Sequence, residues 1–303
     1  MIALTLALSG EAAAQACVCA RNVALPTGAV TRPGEGVFSL DYGIGLSGDT
    51  TGWRGFSVTD LHGDSMAGMY MPPHVVNSAT LNASVGLPAG FSITGALPWI
   101  DIRHAAPSEM PGDVDSSSLA DASVGVRWGW VGKDKRTFVG AQVGATLPTG
   151  KVVEDTPVRA GKGAVGGLLG LQASRKVSAR TALLAAAGAT PTLFVPPDGY
   201  VVGSGGNIAI GARWSPRENG RVSFTGLGLL QVQGTDRQDA LVYRNTGSTA
   251  IDASLGAGWN VWGKGDRSVT LVARVQVPVW QVVGDPMYAE NVSMTTGVNV
   301  VAF

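Results

Sequence analysis

The chain closes with the stretch Val292-Ser293-Met294-Thr295-Thr296-Gly297-Val298-Asn299-Val300-Val301-Ala302-Phe303. Apolar residues alternate with small or polar ones along it, it carries no charge, and it stops on phenylalanine. Alternate side chains of a strand face opposite sides. Termini in water tend to fray, whereas a strand with one lipid-facing side can end this way when it pairs with the first strand to close a barrel.

The same alternation recurs along the chain and predicts about twelve strands. The clearest example runs from Ala120 to Trp130, where Ala120, Ala122, Val124, Val126, Trp128 and Trp130 are apolar and the residues between them are polar or glycine. The stretches near 163–175 and 181–193 alternate weakly. The predicted strands lie at about 38–46, 81–87, 91–99, 120–130, 139–147, 163–175, 181–193, 208–214, 222–232, 251–261, 269–279 and 292–303.

The connections between these strands alternate strictly between short and long. The short ones are near 88–90, 133–136, 177–180, 216–220 and 264–267, and the long polar ones near 47–72, 103–117, 151–162, 195–203, 234–248 and 284–291. Outer-membrane barrels have short periplasmic turns and long extracellular loops. We therefore predict an all-β, transmembrane, antiparallel up-and-down barrel with both termini in the periplasm.

A soluble β-sandwich or propeller would also alternate. The predicted strands are longer than the usual five or six residues of soluble sheets. Tryptophans also fall near strand ends, as an interfacial girdle requires. They are Trp99, Trp128, Trp130, Trp214, Trp259 and Trp280.

The composition fits a membrane barrel. Of 303 residues, 45% are hydrophobic, only 15% are charged and 43 are glycine, whereas charged residues make up roughly a quarter of a soluble domain. No apolar run is long enough for a membrane-spanning helix. Lys plus Arg and Asp plus Glu are balanced at 22 each, which gives no electrostatic reason to expect nucleic acid as a partner.

The N-terminus predicts export to the outer membrane of a Gram-negative bacterium. Residues 1–16 combine a short apolar stretch with the small-x-small site Ala14-Gln15-Ala16, as a signal peptide does, although a positive n-region is missing. Residues 17–34 are then a periplasmic segment or a plug in the lumen, and residues 35–303 the barrel. Cys17 and Cys19 leave a lipid anchor at Cys17, a disulfide or metal binding open.

Three short motifs carry a family resemblance: Asp121 to Trp128 (DASVGVRW), Gly144 to Lys151 (GATLPTGK) and Gly95 to Trp99 (GALPW). With the closing Phe303, they resemble the outer-membrane β-barrels of the MetA-pathway (phenol-degradation) transporter family over about residues 35–303. The resemblance implies an outer-membrane location, a barrel fold and a channel role. It carries no shared substrate.

A set of polar residues is predicted to face the lumen. In a water-filled pore such groups select solutes by charge and hydrogen bonding; alternatively, they pair with one another and fill a narrow barrel. The candidates are Asp41, Asp121, Arg127, Gln142, Arg213, Gln231, Asp252, Asn260, Arg274 and Gln276.

A second group has soft or borderline metal-ligand chemistry. Thioether, imidazole and thiolate groups suit Cu(I), but methionine also fills irregular gaps in a loop, and the spacing matches no established metal motif. The candidates are Cys17, Cys19, His62, Met66, Met69, Met71 and His74, with the last five placed in the first long loop.

These features predict a channel or transporter for passive passage of small solutes, with no cofactor. Its partners would be the bilayer, a small solute and, through the terminal strand ending in Phe303, the barrel-assembly machinery. The alternatives are a copper-linked or structural barrel without an open pore. A lipid hydrolase is a weaker alternative, because no serine is recognisably paired with a histidine.

Copper titration separates the metal-binding alternative from the gap-filling one. If the loop binds Cu(I), a variant lacking Met66, Met69 and Met71 will bind it more weakly than the wild type, because three soft donors are lost. Equal affinities, measured by competition with a Cu(I) chelator, would leave the methionines as packing residues.

Overall fold

The structure is a computed structural model that describes most of the barrel wall. The described residues are 33–47, 58–59, 74–104, 116–150, 164–194, 200–201, 203–218, 221–238, 241–243, 247–264, 267–283 and 290–302. The predicted signal peptide, and all but the last two residues of the predicted periplasmic segment or plug, lie outside these ranges. In the described part of the chain, no helix is long and apolar enough to cross a membrane.

Seventeen strands and one short 3-10 turn (Pro88–Gly90) make up the described secondary structure. The strands are β1 (Gly36–Ser47), β2 (Val58–Thr59), β3 (His74–Gly86), β4 (Phe91–His104), β5 (Ser116–Leu119), β6 (Ala122–Val131), β7 (Thr137–Leu147), β8 (Gly166–Lys176), β9 (Thr181–Thr190), β10 (Tyr200–Val201), β11 (Gly205–Trp214), β12 (Val222–Gln233), β13 (Asp236–Gln238), β14 (Leu241–Tyr243), β15 (Ser248–Lys264), β16 (Arg267–Val283) and β17 (Glu290–Val301).

Twelve of these strands form a closed antiparallel wall, in the order β1, β3, β4, β6, β7, β8, β9, β11, β12, β15, β16 and β17. Each pairs with its neighbour along the chain, and β17 returns to pair with β1. This closing seam runs in register from Val37 opposite Val301 to Leu46 opposite Val292. The predicted twelve-stranded barrel, with its last strand closing on its first, is therefore confirmed.

The two ends of the wall differ as predicted. At one end, the short-turn end, β3 connects to β4, β6 to β7 and β8 to β9 through a few residues each. The other end, the long-loop end, carries the longer connections, and these contain short strands that the sequence pattern missed. The clearest is a separate three-stranded sheet of β10, β13 and β14, in stretches predicted as polar loops.

The outer face of the wall is apolar. Along β15, exposed and buried residues alternate, with Leu255 73% exposed between the buried Ser254 and the half-buried Gly256. Ile210 on β11 and Leu171 on β8 are likewise more than half exposed. Large exposed apolar side chains on every second residue are unfavourable in water and favourable in lipid.

Aromatic side chains form a belt on this outer face at the short-turn end. Trp214 on β11 stacks on Phe224 on β12, with ring centroids 5.9 Å apart. Such belts lie at the boundary between lipid and headgroups. The exposed members are Phe38, Phe91, Trp128, Trp130, Trp214, Phe224, Trp259 and Trp262, which include four of the predicted girdle tryptophans.

Polar groups replace the apolar side chains further toward the long-loop end of β1, β3 and β4. Tyr42 Oη donates to Asn77 Oδ1 at 2.8 Å. Arg103 Nε donates to Asp101 Oδ2 at 2.7 Å. These hydrogen bonds mark where the apolar belt ends on this side of the barrel.

The strand prolines interrupt or end pairing. A bulge lies at Pro98, where Ala96 pairs with Ser123 but Trp99 pairs with Leu119. The two residues Leu97 and Pro98 are therefore opposite three residues, 120 to 122. A second bulge leaves Val279 extra beside Pro278, and β7 ends just before Pro148. Proline has no N–H for the ladder, and a bulge removes the need for one.

The first bulge corrects one detail of the sequence pattern. Ala120 was predicted to face lipid, yet it is fully buried. It lies in the break between β5 and β6, where the extra residue resets the alternation. The rest of this stretch follows the prediction from Ala122 onward.

Two turns at the short-turn end depend on local chemistry. Ala89 and Gly90 both have positive φ, at 61° and 80°, and a Cβ on Gly90 would overlap the carbonyl oxygen of Gly129. In the β6–β7 turn, Asp134 Oδ1 accepts from the backbone N–H groups of Arg136 and Thr137. The Arg136 N–H, followed by the Thr137 N–H, lowers the pKa of the Asp134 carboxyl.

The lipid-facing wall predicts how a charge there will be tolerated. Leu255→Arg places a cation on the outer face in the middle of β15, so it should lower the free energy of unfolding by about 2–4 kcal/mol in bilayers. Urea titration of protein refolded in liposomes measures this change.

Trp262→Arg is the matched control on the same strand. Trp262 lies next to the short-turn end, where an arginine can reach headgroups, so the loss should stay within about 1 kcal/mol. Equal losses for the two variants would contradict the position of the belt.

Candidate functional site

The ten predicted lumen residues lie on or next to the wall strands, on the side opposite the apolar belt. Nine of them are in β1, β6, β7, β11, β12, β15 and β16, and Asp121 lies in the break before β6. The structure divides nine of them into three hydrogen-bonded groups, one loop anchor and a cavity, and places Asn260 outside these. Their role in selecting solutes remains a prediction.

Asp252 is the centre of the most buried group. Its carboxylate accepts from the side-chain amides of Gln231, on β12, and Gln276, on β16, with the latter at 2.9 Å. All three side chains are buried. Hydrogen bonds from two amides compensate the cost of burying a carboxylate, and this half of the inner wall is filled by side chains that bind each other.

Asp41 is held in a similar way beside the closing seam. Its Oδ2 accepts from Ser39 Oγ at 3.1 Å and from Asn82 Nδ2 at 3.0 Å. Across the seam Asp41 faces Gly297 on β17, where an added Cβ would overlap Asp41 Oδ1. Gly297 therefore gives the carboxylate its space, and neither Ser39 nor Asn82 was among the predicted site residues.

Arg127 and Gln142 are register partners on β6 and β7. Arg127 Nη2 donates to Gln142 Oε1 at 3.2 Å. On the same two strands, a pair of glycines lies on each side of it: Gly125 opposite Gly144 and Gly129 opposite Gly140. Small residues here leave space beside a single polar pair.

Asp121 anchors a loop. Its Oδ1 accepts from the backbone N–H of Gly150 at 3.0 Å. Thr149 Oγ1 accepts from Ala122 N at 2.7 Å and donates to Ala120 O at 3.0 Å. The motif around Leu147 to Gly150 thus supplies partners for backbone groups that the bulge leaves unpaired, which gives this part of the family resemblance a structural reason.

Arg213 and Arg274 line one cavity that is open to solvent. The lining also contains the hydroxyls of Ser223, Thr225, Ser254 and Thr295 and the apolar side chains of Leu227 and Val272. No carboxylate is among the described residues that line it. Asn260, the remaining candidate, is half-buried further toward the short-turn end of β15.

An apolar cluster on the inner face was missed by the sequence pattern. Leu184, Ala209, Leu227 and Leu229, from β9, β11 and β12, pack together, with Ala186 against them. In β9 both faces are apolar, which is why the alternation near 181–193 is weak. That weakness was itself the available signal of an apolar inner wall.

Of the seven predicted metal ligands, the structure describes the backbone of His74. Cys17, Cys19, His62, Met66, Met69 and Met71 lie outside the described residues. His74 was predicted to lie in the loop, but its backbone begins β3 and pairs with that of His104. The strand therefore begins closer to the long-loop end than the alternation indicated. Among the described residues there is no group of three or more His, Cys, Asp or Glu that could hold a metal ion.

Comparison with known proteins agrees with this architecture. Residues 47–190 match the sequence family described as "Putative MetA-pathway of phenol degradation", so the predicted resemblance is confirmed over this part of the chain. No curated protein matches the sequence.

A solved structure of an outer membrane channel shows the same fold. The COG4313 outer membrane channel from Pseudomonas putida F1 has a TM-score of 0.71 at 12% identity, covering 89% of this chain and 96% of that one. Weaker likenesses are a TodX monoaromatic hydrocarbon channel mutant (TM-score 0.41, 9% identity, 89% and 91% covered) and a Pseudomonas aeruginosa FadL homologue (0.39, 10%, 88% and 89%).

The closed wall, its apolar belt and the family match identify an outer-membrane β-barrel. An even number of antiparallel strands, an aromatic girdle and a largely polar inner face define this class. The predicted location in a Gram-negative outer membrane is confirmed at this level.

The contact between Gly297 and Asp41 yields a test of the inner wall. Gly297→Ala should lower the free energy of unfolding by about 1–3 kcal/mol, the usual cost of overpacking, because the new methyl displaces the Asp41 carboxylate. In an Asp41→Ala background the same substitution should cost much less, since the clash is gone.

Gly228→Ala is the control, because a Cβ there meets only Ile210 O, at 3.9 Å. Urea titration in detergent micelles measures all four variants. An equal cost of Gly297→Ala with and without Asp41 would show that the carboxylate does not depend on this glycine.

Proposed function

We propose that the protein is an outer-membrane channel through which small solutes pass passively. The observation that supports this most directly is the solvent-connected cavity inside a closed wall, lined by Arg213, Arg274 and a set of hydroxyls. Polar groups that line water at membrane depth are functional candidates, because their burial in lipid would be costly.

The distribution of small residues also favours passage. Glycines are register partners on the inner face of β6–β9, at Gly125 with Gly144 and at Gly170 with Gly188. Glycines have no side chain and therefore leave room in a lumen, whereas side chains would fill a purely structural barrel of this size. The Asp252 and Asp41 groups fill the opposite side around the Arg213–Arg274 cavity, so we expect the path to pass between this cavity and the glycine-rich wall.

The matching family and the fold favour a channel or transporter over an enzyme. At 12% identity the structural likeness supports the architecture and leaves the solute open. Within this proposal, residues 17–34 act as a periplasmic segment or a plug, and the terminal strand ending in Phe303 is read by the barrel-assembly machinery.

Planar-bilayer recordings test the channel. The full chain should give discrete conductance steps, and a chain lacking residues 17–34 should conduct more if that segment enters the lumen. A preparation shown to be folded that never conducts, with or without the segment, would overturn the proposal.

A matched pair of adjacent substitutions locates the path. Ser123→Trp adds bulk to the inner face of β6 and should lower the conductance, while Val124→Trp adds the same bulk to the exposed outer face and should leave it unchanged. Equal conductance in both variants would place the path elsewhere.

A further inference from the structure

The cavity between β11 and β17 is built around a row of register partners. Arg213 lies opposite Thr225, Thr225 opposite Gly256, Gly256 opposite Arg274, and Arg274 opposite Thr295. The two arginines are therefore three strand spacings apart, about 14 Å along a concave wall. Only a threonine and a glycine lie between them, so both guanidinium groups border the same space.

The charge in this cavity is one-sided. Both ionisable side chains that line it are arginines, and no carboxylate is among its described lining residues. Arg274 makes no hydrogen bond or ion pair with any residue that the structure describes. Two predicted acids lie next to the cavity and accept from neutral donors. Asp252 is the next inward residue after Ser254 toward the long-loop end of β15 and accepts from Gln231 and Gln276. Asp41 lies over Gly297, beside Val272, and accepts from Ser39 and Asn82.

The surroundings of the arginines are mixed. Hydroxyl groups from Ser223, Thr225, Ser254 and Thr295 offer further donors, while Leu227 and Val272 supply apolar surface. Leu227 also belongs to the inner apolar cluster with Leu184, Ala209 and Leu229. That cluster continues from the cavity toward the long-loop end on the same strands.

We propose that this cavity is a binding site for a small organic monoanion, a carboxylate carried on a short apolar body. The guanidinium groups are planar donors whose geometry matches that of a carboxylate. The apolar cluster accommodates the hydrocarbon part on its way from the long-loop end, and the arginines receive the anionic end. This inference rests on the proposed channel function and specifies its solute class.

Reversal potentials in planar bilayers test the site. Under a potassium chloride gradient the wild type should prefer anions, and with potassium butyrate opposite potassium chloride the butyrate should permeate measurably. The double variant Arg213→Gln/Arg274→Gln should lose anion preference by roughly tenfold, because two cations leave one constriction. Arg274→Lys in the wild-type background should retain it.

Arg267→Gln is the matched control. It removes one arginine of the same strand as Arg274, but at the short-turn end of β16 and outside the cavity, so its selectivity should stay close to that of the wild type. If it lowers anion preference as much as the double variant does, the preference comes from the general charge of the protein and the site assignment is wrong.

Two further arms separate the remaining outcomes. Thr225→Glu keeps both arginines and adds a carboxylate between them, so it should reverse or abolish anion preference even if the double variant does not fold. A preference for inorganic phosphate over butyrate would contradict the apolar part of the assignment. A conducting wild type without anion preference overturns this inference alone, whereas a folded protein that never conducts overturns the channel itself.

Discussion

The structure depends on one constraint: in lipid, every backbone N–H and C=O must find a partner within the protein. Twelve strands satisfy it only when the last one pairs with the first, and the seam between β1 and β17 does so without a break from Val37 to Leu46. Where the ladder is interrupted at Pro98, the hydroxyl of Thr149 provides the missing donor and acceptor. The loop motif is therefore part of the closure of the wall.

Closure leaves the two faces with different tasks. The outer face needs only apolar bulk and an aromatic edge, which alternate residues supply along every strand. Side chains on the inner face can either fill the lumen or leave it open. On the side of β1, β12, β15 and β16, buried carboxylates bind amides and hydroxyls and fill the interior around the Arg213–Arg274 cavity. On the side of β6–β9, paired glycines leave it open.

This asymmetry gives the cavity at Arg213 and Arg274 its character. Neutral donors bind the carboxylates of Asp252 and Asp41, and no carboxylate is among the described residues that line this cavity. Apolar side chains from β9, β11 and β12 then border a cationic space. A lumen of this kind differs from an evenly polar pore because it offers a solute both a hydrocarbon surface and a fixed charge.

Much of the fold could be predicted from the sequence because strand parity is a local property. A side chain at Val124 or Leu255 must face opposite to its neighbours, whatever the rest of the chain does. Strand number, closure, the short turns and the aromatic edge all follow from that pattern. The inner position of the ten polar candidates also follows from it, with Asp121 shifted to a loop anchor.

The tertiary structure alone decided which inner residues meet. Asp252 contacts Gln231 and Gln276, and Arg213 shares a cavity with Arg274, because register decides which residues of neighbouring strands lie opposite each other. Register depends on bulges such as those beside Pro98 and Pro278, and one inserted residue shifts every later partner. The burial of Ala120 and the apolar inner cluster could not be predicted for the same reason. Alternation indicates which side of the wall a residue faces, but not which residues it contacts there.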